Sequence, residues 1–458
     1  MRRALVLNIV GLTRELLGDE TPNINELLGR AGAIRPLRAV LPAVTCSAHA
    51  TFTTGLAPSG HGCVANGWYF RELSEIWFWR QSNKLVQGEK VWEAAKKIDP
   101  AFTCAKLFWW YNMYSTADFT VTPRPMYPAD GRKLPDIYAQ PAALREELNA
   151  ALGTFPLFNF WGPAATITAS RWIADCAKHV IKTRRPTLTL VYLPHLDYCL
   201  QRLGPRHPGI KPELRRVDAL AGELIDLAKR EDMRVIALSE YGITEVRGAV
   251  HINRALREAG LLAVRTELGR ELLDPGISEA FAVADHQIAH VYVRRPERVR
   301  EVKELIERLP GVERVLGETE KREAGIDHPR SGELVAISRA DTWFSYYYWQ
   351  DDDRAPDFAR TVDIHRKPGY DPVELFLDPK LLAPKLKIGL TLLKKRLGFR
   401  TLMEVIPLDA SLVRGSHGRV TDRDEEGPVI LSSAPELFPE GPVSALDVKD
   451  LILKHVFE

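Results

Sequence analysis

Apolar runs of strand length alternate with longer helical patterns through the first half of the chain. The runs are ALVLNIV (4–10), TLTLVYLP (187–194) and RVIALS (234–239), and the helical patterns are NINELLGRAGA (23–33) and ELRRVDALAGELIDLAKRED (213–232). Parallel strands need a crossover connection between them, and a helix supplies it. The pattern therefore predicts an α/β fold with a mostly parallel central sheet, whose functional groups gather at the carboxyl ends of the strands.

The pattern changes near residue 270. The later segments are a strand-like AHVYVRR (289–295), a helical VREVKELIERL (299–309), a strand-like ELVAIS (333–338) and an aromatic, acidic WFSYYYWQDDDRAPDF (343–358). We interpret residues 271–404 as an inserted cap and residues 1–270 with 405–458 as the core domain. A cap of this kind narrows access to a site and selects substrates.

Two segments of the cap each allow two interpretations. The aromatic side chains could stack on a nucleobase or form a small core, and we favour the core; they are Trp343, Phe344, Tyr346, Tyr347, Tyr348 and Trp349. The basic stretch 378–399 has a helical pattern, for which a solvated surface helix is favoured over a binding patch.

Composition narrows the classes of partner. The formal net charge of the 458 residues is only +2, so no excess cationic field favours a nucleic-acid polymer or an anionic membrane without local clustering of cations. No apolar stretch approaches the roughly 18 residues needed to span a bilayer. Five scattered cysteines without CxxC spacing argue against a disulfide framework and favour a reducing cytoplasm. The oligomeric state stays open.

A dense series of polar and turn residues fills segment 21–69. It reads TPNINELLGRAGAIRPLRAVLPAVTCSAHATFTTGLAPSGHGCVANGWY. In order, its distinctive positions are Thr21, Pro22, Asn23, Pro42, Thr45, His49, Thr54, Gly55, Pro58, His61, Gly62 and Asn66. This series resembles the opening of alkaline-phosphatase-superfamily enzymes, above all the type I phosphodiesterase/nucleotide pyrophosphatase family.

The resemblance implies an alkaline-phosphatase-like three-layer sandwich with a threonine nucleophile. Thr45 holds the nucleophile position, and Asn66 holds that of an amide donor to the phosphoryl oxygens. A hydroxyl at a helix N-terminus meets oriented N–H groups that favour its alkoxide and an arriving phosphate. A plain N-cap role for Thr45 is the alternative, and for His49 local packing or hydrogen bonding is the stronger one.

Further motifs extend the resemblance, but the implied metal site departs from the family pattern. Asp197 in LPHLDYCLQRLGP and His417 in RGSHGR match family ligands. Gln201 stands where a His is expected, and Glu240 with Tyr241 where an Asp-His pair is expected. Val10 replaces the Asp after the first strand and cannot coordinate a metal. Glu240 keeps a carboxylate with a longer reach and Gln201 a weaker, uncharged oxygen ligand, so both stay candidate ligands. This set suggests one ion, or a relocated one, in place of the usual two.

Other polar residues are candidate replacement ligands. His195 precedes Asp197 by two residues, so both side chains would point the same way on an extended segment. Asp363 and His365 have the same spacing in a polar loop beside two cations. For Asp285, His286 and His290, and for Asp327, His328 and Arg330, turn and strand-end chemistry is the favoured explanation.

These observations predict a metal-dependent phosphoester hydrolase that acts through a covalent phospho-threonine intermediate on a phosphorylated small molecule. The divalent ion is zinc by resemblance, whereas carboxylate-rich coordination favours manganese or magnesium. One alternative is a metal-free family member that binds a phosphorylated ligand. Another is related chemistry on a phosphonate or a phospho-sugar.

Overall fold

A computed structural model describes residues 1–29 and 33–458 of the chain. The helix predicted over 23–33 is therefore described only as far as Gly29. The strands are β1 (Arg3–Ile9), β2 (Ile34–Arg38), β3 (Gly67–Phe70), β4 (Glu75–Phe78), β5 (Cys104–Leu107), β6 (Phe119–Pro123), β7 (Ile137–Gln140), β8 (Leu188–Leu193), β9 (Met233–Leu238), β10 (Thr244–Glu245), β11 (Gly248–Val250), β12 (Val264–Glu267), β13 (Arg270–Leu273), β14 (Ala280–Asp285), β15 (Ile288–Val293), β16 (Val312–Leu316), β17 (Leu334–Ser338), β18 (Thr342–Phe344), β19 (Gly415–Ser416), β20 (Val429–Ser432) and β21 (Val443–Ser444).

Helices connect these strands. The α-helices are α1 (Pro22–Asn25), α2 (Thr45–Thr54), α3 (Pro58–His61), α4 (Val91–Ile98), α5 (Ala143–Leu152), α6 (Ile167–Arg184), α7 (His195–Leu203), α8 (Ile210–Arg230), α9 (Ile252–Glu258), α10 (Val299–Glu307), α11 (Glu318–Glu323), α12 (Pro384–Arg396) and α13 (Val448–Phe457). Short 3₁₀ turns cover Arg14–Leu16, Glu26–Gly29, Asn83–Leu85, Leu157–Asn159, Pro296–Arg298, Asp352–Arg354, Pro372–Leu375, Ala410–Leu412, Pro435–Leu437 and Ala445–Asp447.

In the described part of the chain, the central sheet has nine strands in the order β21-β2-β20-β9-β1-β8-β5-β6-β7. Strands β9, β1, β8, β5 and β6 run parallel to one another. β20 is antiparallel to both of its neighbours, and β7 closes the far edge antiparallel to β6. The carboxyl ends of β1, β8 and β9 therefore lie side by side at one edge.

Helices cover both faces of this sheet and give three layers. Side chains of β1 alternate between two cores, because successive residues of a strand point to opposite faces. Leu5 and Leu7 pack into the core beneath α5, α6 and α8, whereas Ala4 and Val6 pack against α2, α4 and α13. This arrangement is the three-layer α/β sandwich that the sequence predicted.

A second hydrophobic core lies beside the sandwich. A four-stranded antiparallel sheet in the order β14-β15-β17-β16 packs with buried residues that extend from Val246 to Val413. The aromatic run is fully part of it, and Trp343, Tyr346 and Trp349 are each 0% exposed. These rings therefore form a core, as the sequence analysis favoured. The division of the chain at residues 270 and 404 stays a prediction.

The basic segment of the cap forms α12 on the molecular surface, and none of its residues is buried. No helix in the described ranges is long and apolar enough to cross a membrane.

Candidate active site

The candidate site lies at the carboxyl edge of the central sheet. β8 leads directly into α7, which carries Asp197 and Gln201, and β9 leads into Glu240 and Tyr241. The segment after β2 leads into α2, which begins at Thr45. Because β1 pairs with β8 on one side and with β9 on the other, these connections meet over the middle of the sheet.

Thr45 is the first residue of α2, and its hydroxyl enters a buried chain of hydrogen bonds. Its Oγ1 lies 3.1 Å from the Tyr241 hydroxyl, which donates to Asp197 Oδ1 at 3.3 Å. Since the proton of Tyr241 points to Asp197, Thr45 is the donor in the first contact. The side chain that the sequence singled out as nucleophile is thus linked to a carboxylate through the Tyr that replaces a family His.

Asp197 is held by its own helix. Gln201, one turn later, donates from Nε2 to Asp197 Oδ2 at 2.9 Å, and Gln201 Oε1 accepts from the Tyr370 hydroxyl at 3.0 Å. Burial raises the pKa of Asp197 to about 7, the hydrogen bond from Gln201 opposes this rise, and the charge of Glu240 adds to it. Gln201 therefore fixes the direction of the Asp197 carboxyl within the site.

His417 completes the centre of the site. Its Nδ1 donates to the carbonyl of Ala43 at 2.8 Å, which leaves Nε2 with a lone pair. That buried nitrogen has no hydrogen-bond partner among the described residues and lies 3.7 Å from Asp197 Oδ1. The ring stacks on Tyr241 with centroids 3.5 Å apart, and burial lowers the pKa of His417. A neutral imidazole thus presents a free lone pair beside a carboxylate.

This pair fits one divalent cation. Metal bonds to imidazole nitrogen and carboxylate oxygen are about 2.0–2.2 Å long, so two such bonds span the 3.7 Å between His417 Nε2 and Asp197 Oδ1. Gln201 supplies a neutral amide next to them. Val10, at the position of a family Asp, is 0% exposed and offers no ligand atom. The residues present therefore fit one ion better than two.

Asn66 lies beside the start of α2. Its Oδ1 accepts from the backbone N–H of Cys46 at 2.9 Å, so the amide caps the helix that carries Thr45. Its Nδ2 and its backbone N–H both donate to Asp285, at 3.1 and 2.7 Å. The amide that the resemblance implies as a hydrogen-bond donor to phosphoryl oxygens therefore lies next to Thr45, with one of its hydrogens directed at a carboxylate.

Asp285 and His286 enter the site, although the sequence analysis favoured turn and strand-end chemistry for them. Asp285 is 0% exposed, burial raises its pKa to about 6, and it contacts His286 Nδ1 at 2.7 Å. The His286 ring packs against His417 and Tyr370, with centroids 3.7 and 3.6 Å away. The sequence signal that could have indicated Asp285 and His286 is the density of polar residues in ADHQIAH at the end of β14.

Glu240 makes its hydrogen bonds outside the Asp197–His417 pair, although its charge acts on Asp197 and its Oε2 is buried without a hydrogen-bond partner among the described residues. Its Oε1 accepts from Asn8 at 2.6 Å and pairs with His49 Nε2. His49 Nδ1 in turn accepts from the Trp110 backbone N–H at 2.9 Å, and burial lowers the pKa of His49. In this arrangement Glu240 and His49 form a buried polar cluster beneath the site and do not contact the pair.

His195 faces the opposite side of α7 from Asp197. Two residues on a helix are about 200° apart, whereas they would point the same way on a strand. His195 Nε2 contacts Glu213 of α8 at 2.6 Å and Cys199 Sγ at 3.6 Å. In the described ranges, these three residues form a group of possible metal ligands, because one ligand atom from each lies within 4.8 Å of the other two.

Asp363 and His365 lie on a partly exposed loop and not with Asp197. His365 Nδ1 faces the carbonyl of Phe78 at 3.4 Å. Burial, followed by the charges of Lys133, Arg80 and Arg124, lowers the pKa of His365 to about 4. The predicted pair Asp363 and His365 therefore lies near several cationic side chains and apart from Asp197.

The loop that carries Asp363 and His365 is linked to the candidate site through aromatic side chains. Asp363 donates its backbone N–H to Glu374 Oε1 at 2.9 Å, and Glu374 Oε2 accepts from Trp161 at 2.5 Å. The ring of Trp161 packs 5.7 Å from that of Tyr370, whose hydroxyl contacts Gln201.

Comparison with known proteins adds family and fold. The family model for type I phosphodiesterase/nucleotide pyrophosphatase matches residues 4–371. An uncharacterized pyrophosphatase/phosphodiesterase of Schizosaccharomyces pombe is 26% identical over 234 residues, which cover 49% of this chain and 41% of that protein. Ectonucleotide pyrophosphatase/phosphodiesterase family member 3 of Rattus norvegicus is 24% identical over 234 residues, 49% of this chain and 22% of that protein. The chain thus spans less than half the length of these curated relatives.

Solved structures share the fold over the whole chain. Murine ectonucleotide pyrophosphatase/phosphodiesterase 5 in an inactive form with AMP has a TM-score of 0.61 and 14% identity, covering 100% of this chain and 95% of that one. Phosphonoacetate hydrolase from Sinorhizobium meliloti with phosphonoacetate has a TM-score of 0.64 and 14% identity, covering 99% and 96%. At this identity the likeness shows the fold alone.

Proposed function

The chain belongs to the type I phosphodiesterase/nucleotide pyrophosphatase family, and on that premise we propose that it hydrolyses phosphoester bonds with Thr45 as nucleophile and one divalent cation. The family match over residues 4–371 confirms the resemblance stated from the sequence, and the members of this family are phosphoester hydrolases. The observation that carries the proposal for this chain is the buried link from Thr45 through Tyr241 to Asp197.

The proposed reaction begins with attack by Thr45. Its Oγ1 forms a bond to phosphorus in line with the leaving oxygen, whose bond to phosphorus breaks. Tyr241, held by its hydrogen bond to Asp197, keeps the Thr45 oxygen in line, and the Thr45 proton passes to solvent as the leaving oxygen takes one up. Water then attacks phosphorus, the bond from phosphorus to Thr45 Oγ1 breaks, Thr45 takes one proton from that water, and phosphate or a phosphomonoester leaves. The covalent intermediate divides one difficult displacement into two.

Asp197 and His417 would hold the cation. Gln201 orients Asp197 from Nε2, and its oxygen accepts from Tyr370. A divalent ion would neutralise the charge that builds up on the phosphoryl oxygens. The unpaired lone pair on His417 Nε2 supports this assignment. The donor set contains one imidazole and one carboxylate, so manganese or magnesium competes with zinc.

A group of cations near His365 supports an anionic, phosphorylated small molecule as substrate. Lys133, Arg80 and Arg124 all act on His365, and in the described part of the chain none of the three forms an ion pair with a carboxylate. Cations without an ion-pair partner around one side chain favour an anion. AMP and phosphonoacetate, bound to structural neighbours, are ligands of this class. The five buried, unbridged cysteines support a reducing cytoplasm as the location.

A second candidate function is binding of a phosphorylated ligand without turnover. The observation that favours it is the contact between Asp285 and both donors of Asn66, since a carboxylate there competes with a phosphate for the same N–H groups. Thr45 is also only 4% exposed. In this case the ligand would bind near Lys133, Arg80 and Arg124 while Thr45 stays unmodified.

Trapping the intermediate distinguishes the two functions. Wild-type protein with manganese is mixed with bis-p-nitrophenyl phosphate and quenched in acid, and its peptides are mapped by mass spectrometry. We expect a phosphoryl or nitrophenylphosphoryl group on Thr45, and the same group on Ser in Thr45→Ser. The Thr53→Val variant, altered on the same helix, serves as the matched control and keeps the adduct. Label at another residue, or none in a protein that turns over substrate, contradicts the proposal.

A further inference from the structure

The surface helix α12 and the residues around it carry an unusual concentration of positive charge. Residues 379–403 contain seven Lys or Arg and no Asp or Glu. Among the described residues, none of these seven forms an ion pair; Arg400 donates instead to the carbonyl of Ala129. Because the whole chain has a net charge of only +2, this segment is a local positive field on a nearly neutral protein.

The same helix exposes a stripe of leucines. Leu386, Leu390, Leu393 and Leu397 are 63%, 51%, 52% and 67% exposed. Their spacing of four, three and four residues places them on one face of a helix. Single exposed leucines are ordinary, whereas four in a row on one helix face form a continuous apolar surface.

The cations flank this leucine stripe on both sides. Helical spacing puts Lys387 and Lys394 on one flank and Lys385 and Arg396 on the other. The face opposite the stripe contains Ile388, which packs onto the second core of the molecule. The helix is therefore fastened to the protein by one face and presents leucines between two rows of cations with the other.

We propose that α12 docks this protein on an anionic lipid surface, with the leucine stripe in the interfacial region and the flanking cations at the lipid headgroups. A helix with apolar residues on one face and Lys or Arg beside them lies in the plane of a membrane interface, and anionic lipids attract each such cation. The positive charge selects this occupant over a second copy of the chain, whose own α12 would repel it. This docking is peripheral and needs no spanning segment.

Vesicle sedimentation tests the proposal. The full chain is mixed with vesicles of phosphatidylcholine alone or with a third of phosphatidylglycerol. We expect pelleting with the anionic vesicles that weakens as salt rises. The double variant Leu390→Gln/Leu393→Gln is expected to bind at least about tenfold more weakly, and Lys387→Gln and Lys394→Gln about fivefold each on anionic vesicles. Leu268→Gln, a leucine 104% exposed on the β12–β13 turn, is the matched control and keeps full binding.

Three outcomes overturn the proposal. The first is no pelleting of wild-type protein with either vesicle, and the second is pelleting that the leucine and lysine variants leave unchanged. The third is a dimer in sedimentation equilibrium that the leucine variant dissociates, because the stripe is then covered by a second copy. The variants alter exposed side chains only, so an unchanged thermal unfolding midpoint shows that each is folded.

Discussion

The hydroxyl of Tyr241 is the residue-scale feature that separates this site from its family pattern. It stands where a metal-binding His is expected, and it joins Thr45 to Asp197 by two hydrogen bonds. A ligand position has therefore become a hydrogen-bonded link to the predicted nucleophile. Phosphoryl transfer here would depend on this phenol, which a two-metal enzyme of the family pattern does not need.

Tyr241→Phe tests that dependence. The phenylalanine keeps the stacking on His417 but removes the hydrogen bonds to Thr45 and Asp197, so we expect kcat on bis-p-nitrophenyl phosphate to fall by about tenfold or more while KM changes little. The control is Tyr347→Phe in the second core, where the hydroxyl has no hydrogen-bond partner among the described residues. Equal kcat for wild type and Tyr241→Phe would remove Tyr241 from the mechanism.

His290 makes stability depend on pH. Its Nδ1 accepts from the Gly332 backbone N–H at 3.1 Å and its Nε2 donates to the Val64 carbonyl at 3.0 Å, so the folded protein needs a neutral ring. Burial lowers the pKa of His290 to about 4. The unfolded chain takes up the proton first as pH falls, so stability from this group is complete above pH 6.5 and is lost toward pH 4.

The expected loss is about 3 kcal/mol once pH has fallen through the pKa of the folded protein. Urea unfolding of wild type and His290→Gln at pH 7.5, 5.5 and 4.5 measures it. The stability difference between the two proteins should shrink as pH falls, because the glutamine does not titrate. A difference that stays constant over this range contradicts the assignment.

Motif spacing predicted some residues of the candidate site, because it identifies their positions in the sequence. It failed for others, because the direction in which a side chain points depends on the local backbone conformation. Thr45, Asp197 and His417 were predicted together and meet in the structure. His195 was paired with Asp197 on the assumption of an extended segment, but α7 begins at His195, which turns the two apart. The position of Asp285 follows from a strand end far along the chain, which no local pattern reveals.

At the scale of elements, α7 presents two polar faces. Asp197 and Gln201 point toward Thr45, and His195 and Cys199 point toward α8. Each pair is one helical turn apart, which places its members on the same side. The helix therefore separates the proposed cation site from a second cluster of ligand-type side chains behind it.

Gln201→His tests which face binds the cation. An imidazole at this position restores the family pattern and frees Asp197 from the amide hydrogen bond, so we expect zinc to bind at least about tenfold more tightly in calorimetric titration. His195→Gln, on the opposite face, is the control and should leave the affinity unchanged. Loss of zinc binding in His195→Gln with no gain in Gln201→His would move the site to the other face of α7.

On the scale of the whole molecule, the hydrophobic pattern predicted the architecture well. Alternating strand and helix patterns indicated the parallel sheet, because burial on both faces leaves strands such as β1 and β8 almost wholly apolar. The family and the fold were both confirmed. The second core begins near Val246 and ends near Val413, beyond the predicted cap, since short strands such as β11 and β18 pair across the chain without a local signal.

In the whole molecule, we propose that a cation held by Asp197 and His417 acts together with Thr45. The most direct measurement is release of p-nitrophenol from bis-p-nitrophenyl phosphate by wild-type protein, before and after chelation and on return of manganese, magnesium or zinc, with Thr45→Val in parallel. We predict turnover that chelation abolishes, that one of the three ions restores, and that Thr45→Val lacks in every condition. Turnover that survives in Thr45→Val, or a wild-type protein inactive with all three ions, would contradict the claim.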